Sequence, residues 1–404
     1  MIHNFSASYA GHVIDENIGL AGTPANDRWY SNDQLIETFD WALDISKHLE
    51  KLGFQEFWMA EHHFQPEGYE AIPNLLMLGL YLSTQTERLK FGCGFNIVPM
   101  WHPLRLAEDF AMADILSKGR IIFGVGRGYH TREVETFGAP MLDSDANREL
   151  FEEQVEVITK AFTHEKFSHH GKHYQLPPEV PYRGYQLKEL TLVPRPITQP
   201  VDIWQPLVSP NPRGIDFMAR MGIKPLIANN PNAALEEKLK MLQSARAKYG
   251  KETGLGEDVA LGFRIFIAES KEKAIKQARP YFEEAMKFAG PLGVMPLTDE
   301  QNVSVVNKGQ TPGVALPTLD EAVEAGSWLC GTSEDVVEHF KGIEEKYPGV
   351  DRVNIGAVMG MPLEVFKDQL SIVAEEVMPA FKGKVQKTQR ACLTPTERSE
   401  KLLG

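Results

Sequence analysis

The sequence predicts a (β/α)8 TIM barrel, an α/β fold, with insertion segments. Apolar strand-like runs alternate with amphipathic helical segments along the chain, and eight strands with at least eight helices fit within its 404 residues. The Gly-, His- and Arg-bearing motifs also fall just after strands, at the rim where parallel barrels gather their functional groups.

The elements follow in order. A first strand is expected over Ile2 to Tyr9, then a helix over Asn32 to Leu52, capped by Ser31 or Asn32 and stopped by Gly53. The second strand covers Gln55 to Ala60 and the second helix Ala71 to Thr84. Leu89 to Val98 is a mostly apolar run bounded by Pro99, the pattern of a strand buried on both faces. Pro103 to Ser117 places Leu104, Leu106, Ala107, Phe110 and Ala113 at helical spacing, with Lys118-Gly119 as a stop. Arg120 to Val125 is the fourth strand, and Arg148 to Phe162 a helix. Strand five is Val201 to Val208, followed by a short helix over Gly214 to Met221. Strand six is Ile223 to Ala228, with a helix over Ala233 to Tyr249, and strand seven is Val259 to Ala268. Helices over Lys271 to Phe288 and Ser333 to Tyr347, strand eight at Val350 to Val358 and a closing helix at Leu363 to Phe381 complete the barrel. Residues 1–382 read as one domain, and 383–404 as a polar tail.

Two stretches break the alternation, Phe167 to Pro200 and Pro291 to Ala325. Irregular segments this long inside a compact domain are commonly lids or mobile loops. The second follows strand seven at the functional rim, so it is the expected lid.

Composition bounds the function. Hydrophobic content of 43% and charged content of 24% are ordinary for a soluble globular chain. A net charge of −13 argues against nucleic acid or an anionic membrane as the main partner. Cys93, Cys330 and Cys392 are odd in number, lack ligand spacing and fit a reducing compartment. The N-terminus shows no signal-peptide pattern and no run is long enough for a membrane span, so the expected location is cytoplasmic.

The candidate site residues come next. Glu61-His62-His63 follows strand two. Neighbours on a strand point to opposite faces, so one histidine is expected in the pocket, and no metal is expected because such neighbours chelate one ion poorly. The loop Gly126-Arg127-Gly128-Tyr129 offers amides and a guanidinium to an anion. It is not a dinucleotide fingerprint, because Tyr129 stands where the last glycine of G-x-G-x-x-G belongs. Ser209, Asn211 and Gly214 lead into a helix N-terminus, a natural phosphate site, although Pro210 and Pro212 remove two amide donors. His169-His170-Gly171-Lys172-His173 has no accompanying acid in sequence and reads as a solvated turn, and Gly331-Thr332-Ser333-Glu334-Asp335 as a helix cap.

Four motifs together resemble the luciferase-like flavin-dependent monooxygenases: AEHHF (Ala60 to Phe64), HPLRLAED (His102 to Asp109), SKGR (Ser117 to Arg120) and FGVGRG (Phe123 to Gly128). The resemblance implies a barrel that binds reduced FMN, supplied by a separate NAD(P)H:flavin reductase. It implies that the enzyme uses O2 to oxygenate a small organic substrate through a flavin peroxide, by hydroxylation, Baeyer–Villiger insertion or C–S or C–N cleavage. It makes His62 the catalytic histidine and Glu61 the acid beside it. It places a non-proline cis peptide at Gly94-Phe95 under the flavin ring, next to Asn96, although bulky Phe95 departs from the small residues frequent there. It makes Arg127 a phosphate ligand, helped by Gly126, Gly128 and Tyr129, with Ser209, Asn211 and Gly214 in the phosphate loop. A homodimer or higher oligomer is the expected assembly. The alternatives are an F420-dependent hydride-transfer oxidoreductase, a metal-dependent barrel hydrolase and a non-catalytic flavin-binding protein.

Overall fold

The structure, a computed structural model, describes residues 1–228, 232–307 and 311–381. The expected polar tail lies outside the described residues, as does a short part of the expected lid.

The chain opens with β1 (Asn4–Tyr9), α1 (Asn32–Leu52), β2 (Glu56–Met59), α2 (Leu75–Thr84), β3 (Lys90–Cys93), β4 (Asn96–Ile97) and α3 (Pro103–Leu116). Next are β5 (Ile121–Gly126), α4 (Thr131–Thr136) and α5 (Ser144–Thr163). Two small hairpins follow, β6 (His169–His170) with β7 (Gln175–Leu176), and β8 (Pro181–Tyr182) with β9 (Tyr185–Gln186). The second half holds β10 (Ile203–Pro206), α6 (Pro212–Met221), β11 (Lys224–Ala228), α7 (Asn232–Lys248), β12 (Ala260–Phe263), β13 (Ile265–Ile267) and α8 (Lys271–Ala289). It ends with α9 (Asp299–Val306), α10 (Leu319–Glu324), β14 (Leu329–Gly331), α11 (Ser333–Lys346), β15 (Arg352–Gly356) and α12 (Leu363–Ile372).

Eight parallel strands, in the order β10, β11, β12, β15, β1, β2, β3, β5, close into a barrel where β5 pairs with β10. Along β2, Phe57 packs outward in the layer beneath the helices, while Trp58 points inward. Trp58 meets Trp204, from the far side of the barrel, edge-on at 5.7 Å between ring centroids. The barrel is therefore a packed core with its chemistry confined to the rim.

Local signals explain most boundaries. Ser31 and Gln34 form the capping box of α1, and Gly53 ends it with φ 84°. Helix α5 starts earlier than the apolar period shows, because Asp143 caps it by accepting from Asp145 N and Ala146 N. Helix α6 likewise starts at Pro212 behind the Asn211 cap. Helix α2 starts later, at Leu75, after Pro73 and the Asn74 cap.

Four expectations need correction. The third strand is not continuous: β3 and β4 are separated by a cis peptide at Gly94-Phe95. Strand seven splits after Phe263, and its second half leaves the barrel to pair with β14. The apolar runs continue across both breaks, so hydrophobicity alone does not mark them. The segment Pro291 to Ala325 is not simply irregular, since it contains α9 and α10 with Val305 and Leu319 buried. His169 is buried rather than solvated, and Glu153 of α5 joins it at 3.1 Å while accepting from His173 N and Tyr174 N.

Candidate active site

The site lies at the C-terminal ends of the strands. Its floor is made by glycines. A Cβ at Gly94 would stand 3.0 Å from Trp58 Cε3, and one at Gly126 would stand 3.2 Å from Phe95 Cβ. A Cβ at Gly124 would fall 1.8 Å from the Cys93 carbonyl oxygen. These bare positions let the strand-three chain and β5 approach closely beside the cis Gly94-Phe95 bond. Asn96 is fully buried there. Its Nδ2 donates to Gly124 O at 2.8 Å, while its Oδ1 has no hydrogen-bond partner among the described residues. Burial pushes the nearby Cys93 thiol up to about 12, so it is held protonated.

Beyond β2 the chain runs into a loop, and His62 and His63 lie on that loop rather than on the strand. They still diverge. His62 is buried, with Nδ1 3.2 Å from both carboxylate oxygens of Glu133, and Nε2 3.1 Å from Glu70 Oε2 and 3.1 Å from Tyr129 Oη. Tyr129 O–H also reaches Glu70 at 3.1 Å. Gln65 Nε2 donates to Glu133 at 2.9 Å, and His130 Nε2 is 3.4 Å from Glu70.

Both ring nitrogens of His62 thus face carboxylates, which only accept when ionised, so the imidazolium is the form that satisfies both. Burial by itself would lower the His62 pKa, but Glu70 and Glu133 outweigh it and hold it above its ordinary value. Burial raises Glu133, and His62 then overcomes this to leave that carboxylate below its ordinary value. Burial and the Glu70 and Glu133 carboxylates push the Tyr129 phenol far up, so it stays protonated as a donor.

Glu61 sits elsewhere. Its Oε2 accepts from Ile97 N at 2.8 Å, and its Oε1 accepts from Trp101 Nε1 at 2.9 Å and lies 3.1 Å from His63 Nε2. It braces the turn after β4, whereas Glu70 and Glu133 are the carboxylates at His62.

A cationic flank lies at the ends of β5 and β10. Arg127 is partly buried, and its guanidinium makes a long 3.5 Å contact to Ser144 O. Burial and the like charges of Arg148 and Arg213 pull its pKa down. Arg213 is already matched, with Nη2 2.8 Å from Glu152 Oε2. The Arg148 guanidinium lies over the start of α6, 3.1 Å from where a Cβ on Gly214 would be. Asn211 Oδ1 accepts from Gly214 N at 3.0 Å, and Ser209 is exposed just before it. Gly128 turns the loop at φ 83° against Val134. Tyr129 is singled out in the sequence for its amide, but its phenol makes the contacts with His62 and Glu70.

Sequence reading misses Gln65, Glu70, His130, Glu133 and Arg148. Glu133 rides on α4, a helix of 6 residues that is too short to show a period. Arg148 lies inside the amphipathic pattern of α5 and carries no motif of its own.

The chain matches the luciferase-like monooxygenase family model over residues 17–351. It is 24% identical over 356 residues to the oxygenase component of flavin-dependent trigonelline monooxygenase from Acinetobacter baylyi, covering 85% of this chain and 90% of that one. Its fold resembles the oxygenating constituent of 3,6-diketocamphane monooxygenase, a type II Baeyer–Villiger enzyme of Pseudomonas putida, solved with FMN. The TM-score is 0.68 and the identity 17%, over 94% of this chain and 99% of that one. It also resembles an F420-dependent secondary alcohol dehydrogenase, with TM-score 0.63 and 16% identity over 94% and 99% of the two chains.

Proposed function

Because this chain belongs to the luciferase-like monooxygenase family, a family of oxidoreductases, we propose that it binds reduced FMN and uses O2 to oxygenate a small organic molecule. A separate flavin reductase supplies the reduced cofactor in this reading, as the words "oxygenase component" in its relative suggest. The observation that carries it is one rim holding both a cationic flank, Arg127 with Arg148 beside the start of α6, and a histidinium clamped between two carboxylates.

The residues fit the cofactor. Arg127, Arg148 and the α6 N-terminus behind Ser209 and Asn211 would take the phosphate, because two guanidiniums that form no salt bridge among the described residues, beside a helix start, favour an anion. The glycine-cleared ledge at Gly94, Phe95 and Gly126 would take the flat ring, and the unpartnered Asn96 Oδ1 offers it an acceptor. When bound, reduced flavin supplies the electrons that activate O2. The chain's own part is proton control and exclusion of water. His62 stores a proton at Nδ1 and Nε2, Tyr129 holds another at its phenol, and Glu70 lies within hydrogen-bond reach of both. Glu61 is the positioning residue that ties Ile97 and Trp101 beside the ledge.

The test is oxygen uptake with FMNH2, supplied by any flavin reductase, across aldehydes, ketones, sulfur compounds and organic acids. One oxygen atom from labelled O2 in a product supports the reading. Anaerobic turnover with reduced F420, together with no uptake on FMNH2, would replace it with hydride transfer.

A further inference from the structure

Arg264 lies between β12 and β13, where strand seven leaves the barrel rim. Its carbonyl accepts from Leu329 N at 2.9 Å, which fixes the position against β14. Its guanidinium sits over the buried Trp328 ring, 5.6 Å from the centroid. From there it is close enough to Tyr129 for the two to interact electrostatically.

Among the described residues, no carboxylate pairs with this guanidinium and no side-chain hydrogen bond engages it. Away from the Arg127 and Arg148 flank, other enclosed arginines are matched. Arg28 meets Glu284 at 2.8 Å, Arg352 meets Glu56 at 3.1 Å, and Arg246 donates to Glu257 O at 2.6 Å. Arg264 is only partly covered at the rim end of strand seven. Burial pulls its pKa from 12.5 to about 10, so it remains charged at neutral pH. An enclosed cation without an anion is a standing electrostatic cost that a bound anion would relieve.

The surroundings say what kind of anion fits. Tyr129 packs in an apolar cluster with Tyr69, Phe288, Leu292, Met295 and Met359. A cavity of about 260 Å³, lined by Tyr69, Phe288 and Leu292 together with the charged Glu67, Arg132 and Lys287, shares residues with that cluster. The acids nearby, Glu70 and Glu133, are already committed to His62, His130 and Tyr129. The phosphate-type flank is on β5 and β10, while Arg264 belongs to the far end of β12.

We infer that Arg264 is the receptor for a carboxylate on an otherwise apolar substrate, which its planar fork holds beside Tyr129 while the apolar body lies against Phe288 and Leu292. This rests on the proposed oxygenation only for the fate of the acid, and its test uses binding alone.

The experiment is calorimetric titration of the full-length chain with benzoate and with benzamide, its neutral match, in the absence and presence of FMN. Wild type is expected to prefer benzoate by about tenfold or more, the scale of a charge-assisted pair. Arg264→Gln is expected to lose that preference while its FMN affinity stays unchanged. Arg264→Lys, which keeps the charge, is expected to retain a weaker preference, and this separates loss of the receptor from loss of fold. Equal binding of acid and amide by wild type, or no binding of either, overturns the inference. So does an Arg264→Gln variant that loses FMN affinity and keeps the preference, because that assigns the guanidinium to the flavin. Failure of wild type to bind FMN at all would count against the proposed function and leave the benzoate preference to be read independently.

Discussion

His62 and Glu133 stand 71 positions apart in the sequence, and the His62 Nδ1 lies 3.2 Å from both carboxylate oxygens. The loop after β2 brings one partner and helix α4 the other, so the barrel itself assembles the pair. Glu70 holds the opposite ring nitrogen at 3.1 Å.

The pair sets a pH window. The folded-state pKa of His62 is raised above 6.5, so its contribution to stability is complete below that value and is lost as pH rises through the raised pKa. The folded-state pKa of Glu133 is lowered below 4.5, so its contribution is present above 4.5 and is lost as pH falls through the lowered pKa. The network therefore stabilises most between those two ordinary values. Glu133→Gln should lower the His62 pKa and flatten the alkaline side of the stability profile. Histidine NMR titration of wild type and variant checks this, and an unmoved His62 midpoint would show that Glu133 is not its electrostatic partner.

The cationic flank predicts the cofactor affinity. Arg127→Ala removes charge-assisted bonds to a phosphate, each worth about 1.5–3 kcal/mol, so FMN should bind roughly 10- to 100-fold more weakly. Arg148→Ala should act in the same direction. Fluorescence quenching of FMN measures both. Wild-type affinity in the two variants would move the phosphate elsewhere.

Packing beside the cis peptide predicts a stability defect. A methyl group on Gly124 meets the Cys93 carbonyl oxygen, a backbone atom that has nowhere to go. Gly124→Ala should therefore cost at least about 1–3 kcal/mol. Thermal or denaturant unfolding reads the loss, and a variant as stable as wild type would mean that β5 and the strand-three chain are less closely apposed.

Much of this was legible in the chain, for physical reasons. Alternating strand and helix periods make a closed parallel sheet the one economical burial of so many apolar runs, and the ends of those runs point to Glu61, His62, Arg127 and Asn211. Single residues that gain meaning only from distant partners are not legible. Glu70, His130, Glu133, Arg148 and Arg264 carry no local pattern, and their roles appear when the loops close over the rim. The breaks at Gly94-Phe95 and Arg264 are hidden for a related reason, since the apolar residues continue on both sides.

The same network makes a prediction about metals. His62, Glu70 and His130 bring ligand atoms within 4.8 Å of one another, a span that a divalent cation could bridge. Their hydrogen bonds and opposite charges already account for the cluster, so the site should work without an ion. Oxygenation should be unchanged after chelator treatment and dialysis. Loss of activity that a divalent cation restores would return the cluster to metal chemistry.

The central claim is that His62, clamped between Glu70 and Glu133, manages protons for oxygenation without holding the flavin. Parallel assay of His62→Ala for FMN affinity and for product formed per O2 consumed tests it most directly. The account predicts unchanged FMN affinity and a loss of product formation of about 10²- to 10⁴-fold, the usual contribution of a general acid or base. Wild-type product yield per O2 in the variant would contradict it.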